Sequence, residues 1–85
     1  DLSGVYPNPV QSSARIDLAV RENQKITVEL YDLLGRRLEK VFDQSVAPNR
    51  TRTVRIQTDG LASGAYFLRI RGESFVKTQR LTVVR

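Results

Sequence analysis

Apolar and polar residues alternate along most of this chain, in short segments separated by turn-forming residues. The first two clear segments place apolar residues at alternate positions from Ala14 to Val20 and from Ile26 to Leu30. A repeat of two residues is typical of a β-strand with one buried and one solvated face. We therefore predict two strands here and expect them to pair with each other in antiparallel fashion.

The same repeat continues to the end of the sequence. The predicted strands are residues 3–6, 14–20, 26–31, 36–42, 51–57, 66–71 and 75–84. Turn signals recur about every 8–12 residues, a spacing typical of immunoglobulin-like domains, and no segment has a helical period. The predicted fold class is all-β, an immunoglobulin-like antiparallel β-sandwich of about seven strands.

A turn is predicted where the third predicted strand ends. Asp32 and Gly35 fit the first and fourth positions of a type I turn, because Asp can accept hydrogen bonds within its own turn and Gly tolerates positive φ. Between them, we expect Leu33 to close the end of the sandwich and Leu34 to be more exposed.

The segments on either side of that region carry weaker signals. Leu38 and Phe42 are the predicted core residues of the returning strand, and residues 43–49 are predicted to form a loop. Near the start, Pro7 and Pro9 force an extended kink that a central strand would not tolerate.

The segment from Leu61 to Tyr66 has the form L-x-x-G-x-Y. In sandwiches, the hydroxyl of a tyrosine near the start of the sixth strand commonly donates a hydrogen bond to a backbone carbonyl a few residues upstream. Tyr66 fits this role, with Gly64 adopting the turn geometry. We interpret the motif as structural, in preference to a ligand-binding tyrosine.

The composition excludes several kinds of chemistry. The 85 residues include no Cys and no His, so thiolate nucleophiles, imidazole bases, disulfides and the usual zinc sites are absent. The acidic residues are scattered, without the D-x-D-x-D-G pattern of a calcium loop. We predict a domain that is not an enzyme and holds no metal or cofactor. No apolar run reaches about 18 residues, so no membrane span is predicted.

The net charge of +5 would suit an anionic partner. Most basic residues occur at strand spacing, however, which indicates the solvated face of a sheet rather than a concentrated binding patch. Phe67 beside Arg69 and Arg71 is the only hint of nucleic-acid binding, and we predict no nucleic-acid partner.

Four motifs follow one another in a recognisable order. They are Tyr6-Pro7-Asn8-Pro9, the segment Val28–Arg36 with Asp32 and Gly35, the segment Leu61–Ile70, and the closing segment Lys77–Arg85. Together they resemble the C-terminal sorting domains of cargo proteins of the type IX secretion system in Bacteroidetes, the Por secretion system tail family. The resemblance covers essentially the whole chain.

The resemblance implies a non-catalytic secretion signal. It implies that residues 1–85 are a single C-terminal sorting domain belonging to a larger secreted protein, with a cargo domain ahead of it. It also implies passage through the periplasm, contact with shuttle proteins and the outer-membrane translocon, and a final location on the cell surface or outside the cell. In many members, a sortase-like cysteine peptidase removes the domain, and the cargo is attached to the surface or released.

The resemblance also implies roles for particular residues. Those implied to carry recognition by the translocon are Lys77, Arg80, Leu81, Val83, Val84 and Arg85. Those implied to shape the fold are Tyr6, Pro7, Asn8, Pro9, Asp32, Gly35, Leu61, Gly64 and Tyr66. The physical expectation is a last strand that displays a backbone edge and positive charge to a receptor.

An accessory module that binds carbohydrate or protein for a secreted enzyme is the alternative function. A carbohydrate-binding face would require a flat row of exposed aromatic side chains. We expect most aromatic residues of this chain to lie at inward or corner positions; they are Tyr6, Tyr31, Phe42, Tyr66, Phe67 and Phe75.

Overall fold

The computed structural model describes residues 2–85, and within them it contains six β-strands and no helix. The strands are β1 Ser13–Leu18, β2 Gln24–Tyr31, β3 Arg37–Val46, β4 Arg52–Gln57, β5 Gly64–Arg71 and β6 Val76–Val83. Asp1, the first residue of the predicted domain, lies outside the described residues. The all-β class and antiparallel pairing are confirmed. No helix among residues 2–85 is long and apolar enough to cross a membrane.

The count of six strands differs from the predicted seven at the start of the chain. Residues 3–6 form no strand, and the backbone of this region pairs with β1 at two isolated bridges, Leu2 opposite Leu18 and Tyr6 opposite Arg15. The prolines that follow lack the backbone N–H groups that a continuous ladder requires.

The strands form two sheets, one ordered β1-β4 and the other ordered β3-β2-β5-β6. The predicted pairing of the first two strands is wrong, because β1 pairs with β4 whereas β2 lies between β3 and β5. Alternation of residue types determines which face of a strand is buried, but it does not determine which strand becomes the neighbour. The first two strands therefore belong to opposite sheets and contribute their apolar faces to one core.

The core lies between the two sheets and is built from the alternating apolar positions. Side chains that are at most 2% exposed include Ile16, Ile26, Val28, Leu30, Val54, Ile56, Leu68, Ile70, Leu81 and Val83. Among the described residues, no buried side-chain nitrogen or oxygen lacks a hydrogen-bond partner. The sequence pattern thus predicted the inner faces of β1, β2, β4 and β5 correctly.

The predicted turn after β2 is present, but Leu33 does not close the sandwich. The carboxylate of Asp32 accepts hydrogen bonds from the backbone N–H groups of Leu34 and Arg36, at 2.9 and 3.0 Å. Gly35 has φ of 82°. Leu33 is 65% exposed and Leu34 is 80% exposed, because the turn extends away from the core.

Strand β3 corrects two further expectations. Leu38 is 43% exposed rather than buried, whereas Phe42 packs partly against the core. Residues 43–46, expected in a loop, belong to the strand. Register shifts between β2 and β3 interrupt the alternation on this edge strand, so spacing alone assigns its faces poorly.

Candidate functional site along the last strand

Strand β6 is one edge of the four-stranded sheet, and the predicted recognition residues occupy different environments along it. Leu81 and Val83 are buried in the core, at 0% and 1% exposure. Lys77 and Arg80 are exposed, as is Val84 just after the strand. In the folded domain, a receptor can therefore reach the side chains of Lys77, Arg80 and Val84. Those of Leu81 and Val83 are out of its reach.

The outer edge of β6 is covered in part by the start of the chain. The side chain of Asn8 donates to the carbonyl of Arg80 at 3.0 Å and accepts from the N–H of Thr82 at 3.0 Å. The N–H of Val10 then donates to the carbonyl of Thr82 at 2.8 Å, and the N–H of Val84 donates to the carbonyl of Val10 at 2.9 Å. We call residues 3–11 the amino-terminal strap.

The amino-terminal strap also bonds to β1, so it bridges the two sheets along one side. Ser3 exchanges two hydrogen bonds with Asp17, one from its N–H and one to its hydroxyl, at 2.9 and 2.8 Å. Tyr6 and Arg15 exchange two backbone hydrogen bonds, at 3.0 and 2.8 Å. The side chain of Gln79 on β6 donates to the carbonyl of Ser3 at 3.1 Å. The Tyr6-Pro7 and Asn8-Pro9 peptide bonds within the strap are cis.

Arg85 fastens the end of the chain to the rest of the sandwich. Its guanidinium donates to the carbonyls of Gln11 and Leu61, each at 3.0 Å, and to that of Thr58 at 2.9 Å. Its backbone N–H donates to the hydroxyl of Ser63 at 3.0 Å. Sequence reasoning placed Arg85 only among the residues read by a receptor, and nothing in its spacing indicated these contacts.

The corner before β5 has the contact that its sequence motif predicts. The hydroxyl of Tyr66 donates to the carbonyl of Ala62 at 2.6 Å, and the residue is only 8% exposed. Gly64 has φ of 152°, and the N–H of Leu61 donates to the carbonyl of Thr58 at 3.0 Å.

Positive charge is concentrated on β5 and β6. Their sequences contain Arg69, Arg71, Lys77 and Arg80 and no acidic residue. The ion pairs of this sheet lie further along it, for example between Arg37 and Glu29 at 2.9 Å. That hydrogen bond from Arg37 holds the pKa of Glu29 below its usual value. Within residues 2–85, neither Lys77 nor Arg80 forms an ion pair.

The aromatic side chains follow the expected distribution only in part. Tyr66 is buried, and Phe42 and Phe75 pack partly against the core, whereas Tyr6 is 37% exposed. Tyr31 and Phe67 are partly exposed and face each other across neighbouring strands of the large sheet. The guanidinium of Arg69 lies 5.0 Å from the centre of the Tyr31 ring. In the part of the chain that the structure describes, no group of three acidic, Cys or His side chains is arranged to hold a metal ion.

Comparison with known proteins gives one family. The family model described as a secretion system C-terminal sorting domain, Por_Secre_tail, matches residues 4–84. The search of curated proteins finds no match. The matched residues include residues 4–11 of the amino-terminal strap, all six strands and Val84.

Proposed function

The chain belongs to the family of type IX secretion C-terminal sorting domains, and on that premise we propose that it directs an attached cargo protein across the outer membrane. The observation that carries this proposal is the family match, which extends over almost the whole sandwich. Membership implies contact with the type IX secretion machinery and export to the cell surface or the extracellular space. We propose that the domain performs no catalysis itself.

We propose that the exposed side of β6 is what the secretion machinery recognises. Lys77 and Arg80 supply charge without an internal ion pair, and Val84 supplies a partly exposed apolar side chain. Leu81 and Val83 act indirectly, since their burial in the core positions the strand. Arg85 contributes by fastening the end of that strand to backbone carbonyls.

The proposal assigns a supporting role to the other family motifs. Asn8, within the Tyr6-Pro7-Asn8-Pro9 motif, bonds to the backbone of β6. The corner formed by Leu61, Gly64 and Tyr66 lies against the end of the same strand, through Ser63 and Arg85. Asp32 and Gly35 close the turn that ends β2. These contacts support recognition of a folded domain rather than an unfolded tail.

The remaining steps follow from the same premise. The cargo domain precedes residue 1 in the same chain, and the whole protein passes through the periplasm. Shuttle proteins and the outer-membrane translocon then bind the sorting domain. A sortase-like cysteine peptidase at the surface removes the domain, and the cargo is attached there or released.

A reporter export experiment tests this function. A folded reporter with a signal peptide is fused ahead of residue 1 and expressed in a bacterium that has a type IX system. The reporter is then measured in periplasmic, surface and medium fractions. We expect export with the wild-type domain and periplasmic retention when residues 83–85 are deleted. Retention of the wild-type fusion in the periplasm, or efficient export of the truncated fusion, would contradict the proposal.

The truncation also removes buried Val83, so a second variant separates recognition from folding. The double substitution Lys77→Glu and Arg80→Glu alters only exposed side chains of β6. Arg50→Glu with Arg55→Glu is the matched control, because it makes the same charge change at exposed positions outside the four-stranded sheet. We expect periplasmic retention with the first pair and export with the second. Equal export of both double variants would show that the secretion machinery does not recognise the positive charge on β6.

An accessory binding module is the second candidate function. The observation in its favour is the partly exposed pair of Tyr31 and Phe67, with Arg69 against the Tyr31 ring. Two aromatic side chains do not form the long flat row that polysaccharide binding requires, so sorting is preferred. Binding of the isolated domain to immobilised polysaccharides, lost in Tyr31→Ala, would support the module.

A further inference from the structure

The outer edge of β6 is covered along only half of its length. Residues 8–10 occupy the edge from Arg80 to Val84. Backbone groups alternate in direction along a strand, so those of Val76 and Thr78 and the N–H of Arg80 also point away from β5. Within residues 2–85, these groups have no hydrogen-bond partner. Unpaired groups on an edge strand are a template for adding another strand.

An apolar cleft opens between the sheets beside this uncovered stretch. Its volume is about 220 Å³, smaller than the roughly 300 Å³ at which sites for small-molecule ligands begin. Its walls include Leu18, Val20, Ile26, Ile70, Phe75 and the side chain of Lys77. Alternate side chains of a strand added to β6 would point towards the gap between the sheets. The cleft therefore offers room for a single apolar side chain of such a strand.

The charge of the neighbouring surface restricts the partner. Arg69, Arg71 and Arg80 lie on the outer face of the sheet, and β5 and β6 contain no acidic residue. A second copy of this chain would bring the same positive charges against them, which is unfavourable. An acidic segment would complement them.

We propose that residues 76–80 of β6 bind an extended acidic segment of a partner protein as an added strand. An apolar side chain of that segment fills the cleft, and its acidic side chains face Arg69, Arg71 and Arg80. The inference rests on the proposed function, since it specifies the chemistry of the export component that binds β6. It also places the edge that the partner binds in the first half of β6, because the amino-terminal strap covers the second half.

The direct test uses a synthetic peptide with a fluorescent label, Glu-Thr-Glu-Leu-Glu-Thr-Glu, titrated into the 85-residue domain. Fluorescence anisotropy measures the affinity, and NMR shifts of backbone amides locate the site. We expect saturable binding with shifts at Val76 and Thr78. The peptide with Ala in place of Leu should bind about tenfold more weakly or worse, since burial of the Leu side chain is lost. The peptide with Lys in place of Glu should not bind.

A matched pair of variants tests the backbone edge. Thr78→Pro removes an outward N–H without removing a hydrogen bond to β5, and edge strands tolerate proline. Thr78→Ala keeps that N–H and is the control. We expect the proline variant to lose peptide binding and the alanine variant to keep it. Should the proline variant fail to fold, Arg71→Glu with Arg80→Glu serves instead, and it should abolish binding of the Glu peptide.

Three results would overturn the inference: no binding of the Glu peptide at millimolar concentration, equal binding by the proline and alanine variants, or self-association of the domain through β6. The export assay keeps this failure separate from failure of the sorting function. Normal export of a Thr78→Pro fusion would refute the added strand while leaving the sorting signal intact. Periplasmic retention of the wild-type fusion would refute the sorting function, whatever the peptide shows.

Discussion

Replacing Asn8 with alanine should loosen the last strand more than its exposed position suggests. The Asn8 side chain acts as a short piece of pairing strand, since it donates to the carbonyl of Arg80 and accepts from the N–H of Thr82, both at 3.0 Å. Alanine leaves both backbone groups without a protein partner at the place where the amino-terminal strap joins β6.

The magnitude follows from those two hydrogen bonds. A typical internal hydrogen bond contributes about 0.5–1.5 kcal/mol net. Both of these lie in an exposed region, where water replaces part of the loss, so we expect about 1–2 kcal/mol in total. For a domain of this size, each kcal/mol lowers the melting temperature by about 4–8 °C. The expected decrease is therefore roughly 5–15 °C.

The free energy of unfolding is measured by urea titration followed by circular dichroism. Amide hydrogen exchange gives the local effect, and the amide of Thr82 should exchange faster in the variant. The control is Asn23→Ala, because Asn23 is exposed and its side chain makes no hydrogen bond among the described residues. A loss below about 0.5 kcal/mol with unchanged exchange at Thr82 would refute the reasoning, since that is the usual range for neutral surface substitutions.

Three further predictions concern the corner, a turn and pH. Tyr66→Phe removes the hydrogen bond to the carbonyl of Ala62 and should cost about 1 kcal/mol in urea titrations; an unchanged midpoint would show that the hydroxyl is not stabilising. Gly35→Ala should lower the free energy of unfolding by about 1–2 kcal/mol. The space around Gly35 is open, so the loss comes from its φ of 82°, which is unfavourable for a residue with a side chain. Gly4→Ala, which has equal space and no such φ, should show no loss, and equal costs would contradict the backbone explanation. Four carboxylates have a pKa below the usual value because hydrogen bonds stabilise their charged forms; they are Asp17, Glu29, Asp32 and Asp43. Their contribution to the free energy of unfolding is fully present above the unfolded-state pKa values near 4. It is lost as the pH falls through the lower pKa values of the folded state. The urea concentration at the unfolding midpoint should thus decrease as the pH is lowered from about 4.5 to about 2. The decrease should be smaller in Asp17→Asn, and an equal decrease in that variant would contradict the assignment.

The sequence by itself determined the faces of most strands and two of the local motifs. Ile16, Val28 and Leu68 are buried as predicted, because side chains alternate between the faces of any strand, whatever its neighbours are. The Asp32 turn and the Tyr66 corner were also predictable, since each is closed by bonds between residues at most four apart. Most of the candidate site was named from the resemblance of its motifs, but its geometry was not.

Only the tertiary structure decided which strands pair and how the last strand is held. β1 pairs with β4 rather than with β2, and a strand's neighbour depends on contacts with distant parts of the chain that no local pattern encodes. Asn8 meets β6 across a separation of 72 residues, and Arg85 reaches three carbonyls in two segments that are distant from each other in the sequence, that of Gln11 and those of Thr58 and Leu61. Those contacts exist only after both ends of the chain lie side by side, which is why they determine where the edge of β6 is covered and where it stays open.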